Sequence, residues 1–162
     1  MRADGVYPGR TYLWTDPALV QFPFGFGLTF ANFSYTVAAS TATAAPCDNV
    51  TITATVMNAS PFDADEVVQA YASLPDASFV APARALVGFA RIRVPALGLA
   101  RVALQVTPRA RSILREGDLV RVVEPGRVLL WVGGCSAPAL APGAAADFTV
   151  VGAAVSVDSC EA

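Results

Sequence analysis

The most regular stretch of the chain is Val50–Val56, where Val50, Ile52, Ala54 and Val56 alternate with Thr51, Thr53 and Thr55. Strict period 2 with β-branched residues on both faces predicts a half-buried strand. Glu66–Ser73 differs, because Val67, Val68, Ala70, Tyr71 and Ala72 put apolar groups on both faces. That pattern predicts a central strand covered on two sides. Ala85–Val94 predicts a third strand, with Gly88 as a bulge or a point of close approach. In Leu99–Val106, Val102, Leu104 and Val106 alternate with Arg101, Ala103 and Gln105, as in a half-exposed strand. Leu119–Val123 and Arg127–Val132 flank the turn Glu124-Pro125-Gly126, and Phe148–Val157 predicts a last strand, bulged at Gly152. Pro108–Gly117 leaves two readings open: a helical turn around Ala110, or a short strand at Ile113-Leu114.

Turn-forming residues separate these segments: Asn58, Ser60, Pro61, Asp63 and Asp65 in one loop, Pro75, Asp76 and Pro82 in the next, then Pro95–Gly98. No segment holds a 3.6-residue period over a long helix, and no internal repeat is visible. Seven or eight short strands at fairly regular spacing predict an all-β fold. The architecture is an antiparallel β-sandwich of the immunoglobulin or fibronectin type III kind, about seven strands. The Pro- and Gly-rich first 28 residues do not fit that pattern. They read as a connector or the remnant of a preceding unit.

Composition adds mostly exclusions. At 162 residues and 54% hydrophobic, the chain suits one domain with a substantial core. It has eleven Arg, no Lys and no His. Without His there is no Ser-His-Asp or Cys-His catalysis and no histidine zinc site. Without Lys there is no Schiff base and no Walker phosphate loop. A net charge of −2 argues against nucleic acid as a partner. Pro17–Cys47 and Val128–Ala146 carry no charge, but Pro and Gly interrupt both, so neither predicts a membrane span. The opening MRADGVYPGR has no apolar signal region. That leaves two expectations: an intracellular chain, or a natural start other than Met1.

Several blocks occur in a telling order. Tyr7-Pro8-Gly9-Arg10-Thr11-Tyr12-Leu13-Trp14 is followed by Phe22-Pro23-Phe24-Gly25-Phe26-Gly27-Leu28-Thr29-Phe30. Then come Val50–Val56 with Asn58, Asp65-Glu66-Val67-Val68-Gln69-Ala70-Tyr71, Leu86-Val87-Gly88-Phe89, and Val122–Gly126 with Leu130–Gly133. Over nearly the whole chain this series resembles the end of glycoside hydrolase family 3 enzymes. In that family a PGRTY segment and a PFG-aromatic-GL run enter a fibronectin type III-like domain. The PGRTY form resembles the β-xylosidase branch more than the β-glucosidases. Two departures stand out: Thr29 replaces the usual serine, and Ala59-Ser60-Pro61 follows Asn58 without the usual glycine.

The resemblance implies a division of the chain. Residues 1–30 would be the tail of a preceding α/β glycosidase domain and its linker, and residues 31–162 the fibronectin type III-like domain. It further implies a parent enzyme that hydrolyses O-glycosyl bonds in xylan or hemicellulose by a retaining two-carboxylate mechanism. The nucleophile and the acid/base would lie before residue 1, so no catalytic residue, cofactor or metal ligand is assigned to this chain. The implied partners are the parent's catalytic domains, with oligosaccharide contact as a further expectation, and the implied location is extracellular. The alternative function is a stand-alone carbohydrate-binding or adhesion module.

Candidate sites follow. Asp63, Asp65 and Glu66 are dense enough for an acid/base pair or a calcium loop, but the calcium-loop glycine and distal Glu are missing, and a solvated loop is expected. Tyr12, Trp14, Phe22, Phe24 and Phe26 are assigned to interdomain packing rather than sugar stacking, since Phe has no hydrogen-bonding handle. Gly25 and Gly27 lack the third glycine of a nucleotide loop. In a sandwich of this type Cys47 and Cys160 would share one pole and Cys135 would stand alone, so Cys47–Cys160 is a candidate disulfide; three unrelated thiols remain the alternative. Asn32 and Asn49 are candidate N-glycosylation sites. Asn58 forms a third sequon that Pro61 weakens.

Overall fold

The computed structural model describes Gly9 and residues 11–161. A one-turn helix α1 (Thr11–Trp14) and a 3₁₀ turn at Pro17–Leu19 open the chain. Eleven strand segments follow: β1 (Phe33–Ala39), β2 (Thr43–Ala44), β3 (Val50–Asn58), β4 (Ala64–Ser73), β5 (Ala85–Val94), β6 (Leu99–Val106), β7 (Ile113–Leu114), β8 (Arg121–Val123), β9 (Gly126–Gly133), β10 (Gly143–Val150) and β11 (Val155–Ser156). One sheet has the order β1-β3-β6 and the facing sheet β2-β10-β9-β4-β5, while β11-β8-β7 form a small third ladder. All pairings are antiparallel except the short β2–β10 contact. The chain is an all-β sandwich of two facing, largely antiparallel sheets, as the strand pattern predicts.

Sequence alternation explains the core. In β3, Val50, Ile52, Ala54 and Val56 are fully buried while the threonines between them face outward. They meet Val68, Leu130, Val132 and Phe148 from the facing sheet in one continuous cluster. Burying each such Val or Ile stabilises the fold by roughly 1.5–3 kcal/mol. Asn58, also fully buried, ends β3. Its Nδ2 donates to Phe62 O at 2.8 Å, and its Oδ1 accepts from the Ser60 amide at 2.9 Å. That Asx-type turn shapes the β3–β4 loop and withdraws the third sequon's Asn from solvent.

Three segments depart from the sequence-based expectation. Phe33–Ala39 is a strand: its inward Phe33 and Tyr35 and outward Ser34 and Thr36 alternate, but the run sits among other aromatics that obscure it. The expected Phe148–Val157 strand is really the end of β10, which starts at Gly143 and stops at Val150. Gly152, at φ +116°, turns the chain away instead of bulging it, and Val155–Ser156 join β8. The expected strand from Leu119 starts at Arg121, because Leu119 at φ 59° closes a turn from Arg115. Pro108–Gly117 holds both open readings in succession, a 3₁₀ turn at Arg109–Arg111 and then β7. Near Gly88 the β4–β5 register shifts: Ala70 faces Gly88 and Tyr71 faces Leu86, leaving Val87 as the extra residue of a bulge.

At one pole, Arg111 is only 2% exposed. Its guanidinium donates to the carbonyls of Val106 (2.9 Å), Pro46 (2.8 Å), Asp48 (2.6 Å) and Ala45 (3.3 Å), and lies 5.8 Å from the Phe148 ring centre. These bonds shape the loop that carries Cys47. Cys47 is joined to Cys160 across a sequence separation of 113, with Cα atoms 5.0 Å apart. Cys135 is a buried free thiol.

Candidate functional site

The second face of β4 organises the region where the sequence blocks converge. Val68, Ala70 and Ala72 point into the sandwich, whereas Gln69 and Tyr71 point out of it, yet Gln69 is 6% exposed and Tyr71 not at all. The cover is the N-terminal segment. Residues 20–30 run across Gln69 and Tyr71 as a strap. Gln69 Nε2 donates to Gly25 O at 3.2 Å and to Gly134 O at 2.7 Å, so one amide ties the strap to the loop after β9. The Tyr71 hydroxyl bonds Gln69 Oε1 at 2.5 Å and Phe24 O at 3.2 Å. Phe24 O also accepts from the Ser136 amide at 2.9 Å. Burial pushes the Tyr71 phenol above its ordinary range.

The strap turns at Pro23–Phe26, where the Phe26 amide donates to Pro23 O at 3.0 Å and Gly25 adopts φ +81°. A Cβ at Gly25 would stand 1.9 Å from Gln69 Oε1, so only glycine admits this contact. The helix α1 adds Tyr12. Its ring stacks on Phe24 at 4.1 Å, meets Tyr71 edge-on at 6.4 Å, and its hydroxyl accepts from the Leu86 amide at 2.9 Å.

Of the sequence-predicted aromatics, Tyr12 and Phe24 therefore pack on this chain's own sandwich. Phe22 and Phe26 pair with each other at 5.4 Å, with Phe22 facing solvent, and Trp14 is half-buried. Leu19, Phe22, Leu28 and Phe30 are 80%, 65%, 92% and 100% exposed, so the outer side of this segment is apolar. Sequence reading singled out neither Gln69 nor Tyr71 as site residues. The available signal was a polar Gln inside an otherwise apolar run.

Two clefts flank the strap. One, of about 280 Å³, lies between Tyr12, Thr15, Pro23 and Phe24 on one side and Arg84, Ser136, Ala137 and Leu140 on the other. The second, of about 260 Å³, is bounded by Gly25–Thr29, Gly134 and Glu66. In it Glu66 accepts from the Tyr35 hydroxyl at 2.5 Å. Burial raises the Glu66 carboxyl above the usual carboxylate range, against the lowering effect of that bond. Burial, and then the bond to Glu66, push the Tyr35 phenol up.

The other two carboxylates of the cluster are surface ion-pair partners: Asp65 of Arg91 at 2.6 Å and Asp63 of Arg93 at 3.2 Å. Among the described residues no three His, Cys, Asp or Glu side chains group as metal ligands, and no helix is long and apolar enough to cross a membrane. Asn32 and Asn49 are both exposed.

Comparison with known proteins gives this geometry a context. A family model described as a fibronectin type III-like domain matches residues 66–136. The chain is 35% identical over 130 residues to an exo-alpha-(1->6)-L-arabinopyranosidase of Bifidobacterium longum, covering 80% of this chain and 17% of that enzyme. It is 34% identical over 137 residues to a beta-xylosidase of Formosa agariphila, covering 83% and 19%. The crystal structure of the GH3 beta-glucosidase of Bifidobacterium adolescentis superposes with a TM-score of 0.66 at 32% identity, covering 79% of this chain and 18% of that one. The chain thus spans less than a fifth of the length of these relatives. Five sequence blocks in order, a matching sandwich and these relatives identify the chain as a fibronectin type III-like domain of the kind carried by family 3 glycoside hydrolases.

Proposed function

We propose that this chain is the non-catalytic accessory domain of a β-xylosidase-like enzyme, with residues 1–30 as the end of a preceding α/β domain and its linker. The parent would release terminal sugars from β-linked glycans with two carboxylates carried on other domains. The accessory domain would pack against them and hold their orientation. The observation that carries this reading is the two-sided strap. Its inner side is fastened through Gly25, Phe24 and Tyr12 to β4 and β5, while Leu19, Phe22, Leu28 and Phe30 form an apolar outer side. Exposed apolar patches mark contact sites, and these four exposed side chains lie on the segment that would lead to the neighbouring domain. A secreted parent suits the Cys47–Cys160 bridge, since disulfides persist in oxidising compartments.

The test is complementation in trans. A family 3 glycosidase, such as the Bifidobacterium longum relative, is shortened by its own fibronectin type III-like region and mixed with this chain. The expected result is a rise in thermal stability and activity of the shortened enzyme, weakened by Phe22→Ser with Leu28→Ser. This chain alone is expected to leave an aryl β-xyloside intact; turnover above the buffer rate overturns the reading. Binding of xylo-oligosaccharides by the chain, with no effect on the shortened enzyme, would favour the stand-alone carbohydrate-binding module instead.

A further inference from the structure

The described arginines divide by their surroundings. Arg91, Arg93, Arg109, Arg115 and Arg127 each face a carboxylate at the surface. Arg111 is drawn inward, but four backbone carbonyls surround it. Arg84 is drawn partly inward with neither kind of compensation. It is half-buried just before β5 and, among the described residues, makes one hydrogen bond, from Nη1 to Ser136 O, and has no acidic side chain within ion-pair distance. Among the described residues the buried nitrogen without a partner is Arg111 Nε, not a nitrogen of Arg84. The guanidinium lines the 280 Å³ cleft, whose opposite wall is Tyr12, Thr15, Pro23 and Phe24.

A guanidinium presents five N–H donors in a planar fork, and its best-matched acceptor is a carboxylate bound side-on through two oxygens. One positive charge balances one carboxylate. A phosphate dianion would be left half-neutralised among Pro23, Phe24, Ala137 and Leu140. The volume lies at the small end for ligand pockets and suits a compact body such as a single sugar ring or an amino-acid side chain.

We propose that the cleft between α1, the strap and the loop after β9 binds a carboxylate through Arg84, with Thr15 as a neighbouring hydroxyl and the Tyr12–Phe24 stack as its apolar wall. The carboxylate belongs either to a uronic-acid sugar or to an acidic side chain of a neighbouring domain. The sugar-acid source does not depend on the xylosidase-like reading, whereas the neighbouring-domain source rests on it.

The test is an NMR titration of the intact 162-residue chain, following the Arg84 Nε–H and Ser136 amide signals. The probes are D-glucuronate, its uncharged methyl ester, and a terminally blocked peptide with one glutamate. The expected result is a saturable shift with a carboxylate probe and none with the ester. Affinity should fall at least tenfold in Arg84→Gln and be partly retained in Arg84→Lys. Ala83→Glu changes an exposed residue at the rim and places a resident carboxylate there; it should block binding even if Arg84→Gln proves poorly folded. Tighter binding of glucuronate assigns the site to sugar acids, and tighter binding of the peptide assigns it to a neighbouring domain. Equal response to acid and ester, a shift that survives Arg84→Gln, or no saturable response to either carboxylate overturns the proposal.

Discussion

Gly25 concentrates much of the strap's geometry in one residue. A side chain there would meet Gln69 Oε1 and would have to hold φ +81°, which L-residues adopt at a cost of roughly 1–2 kcal/mol. Gly25→Ala is expected to destabilise the chain by about 1–3 kcal/mol in urea titrations, whereas Gly27→Ala, with nothing within 4 Å, should come within about 0.5 kcal/mol of the parent. Arg111 is a stronger case. Arg111→Met keeps bulk against Phe148 but leaves the carbonyls of Val106, Ala45, Pro46 and Asp48 without their donor. A loss of at least about 3 kcal/mol is expected, since hydrogen bonds to charged groups are worth ~1.5–3 kcal/mol each. Glu66 carries a pH signature. Its folded value lies above its ordinary 4.5 because of burial, so its contribution is fully present below that pH and fades as the pH rises through the folded value. Glu66→Gln keeps an acceptor for Tyr35 and removes the titration. Its melting temperature relative to the parent should rise from about pH 4 to pH 7; a constant difference would remove Glu66 from the pH response.

At the scale of elements, the strap and the sheet beneath it have different legibility. β3 and β6 could be read from alternation, and β4, β5 and β9 from short apolar runs bounded by turn residues. β10 could not be read from its start: Gly143-Ala144-Ala145-Ala146 has no bulky side chain to show a period, and only its pairing with β9 makes it a strand. The two-sided burial of β4 was legible as a pattern, but its cause was not. The second cover comes from residues more than forty positions upstream through bonds to backbone carbonyls, which leave no trace in hydrophobic periodicity. Arg84 and Ser136 were silent for the same reason. A direct check is hydrogen exchange. The Leu86 and Ser136 amides, held by Tyr12 Oη and Phe24 O, should exchange slowly in the parent chain and faster in Tyr12→Phe and Gly25→Ala, with the β3 amides unchanged.

For the molecule as a whole, the Cys47–Cys160 bridge closes a covalent ring over nearly three-quarters of the chain. Rings of this size restrict the unfolded chain by roughly 4–5 kcal/mol in the loop-entropy account. Mild reduction is expected to lower the melting temperature sharply and to add the mass of two hydrogens, while Cys135 stays unreactive to thiol reagents until unfolding. A bridged protein with Cys135 modified first would contradict this burial. The ring also decides how the molecule responds to being pulled. Tension applied at its two ends passes through the sulfurs and never reaches β3 through β11, which lie inside the loop. Only the segments before Cys47 and after Cys160 can be drawn out. Under such a pull the strap and β1 yield first, while β3 through β11 stay intact.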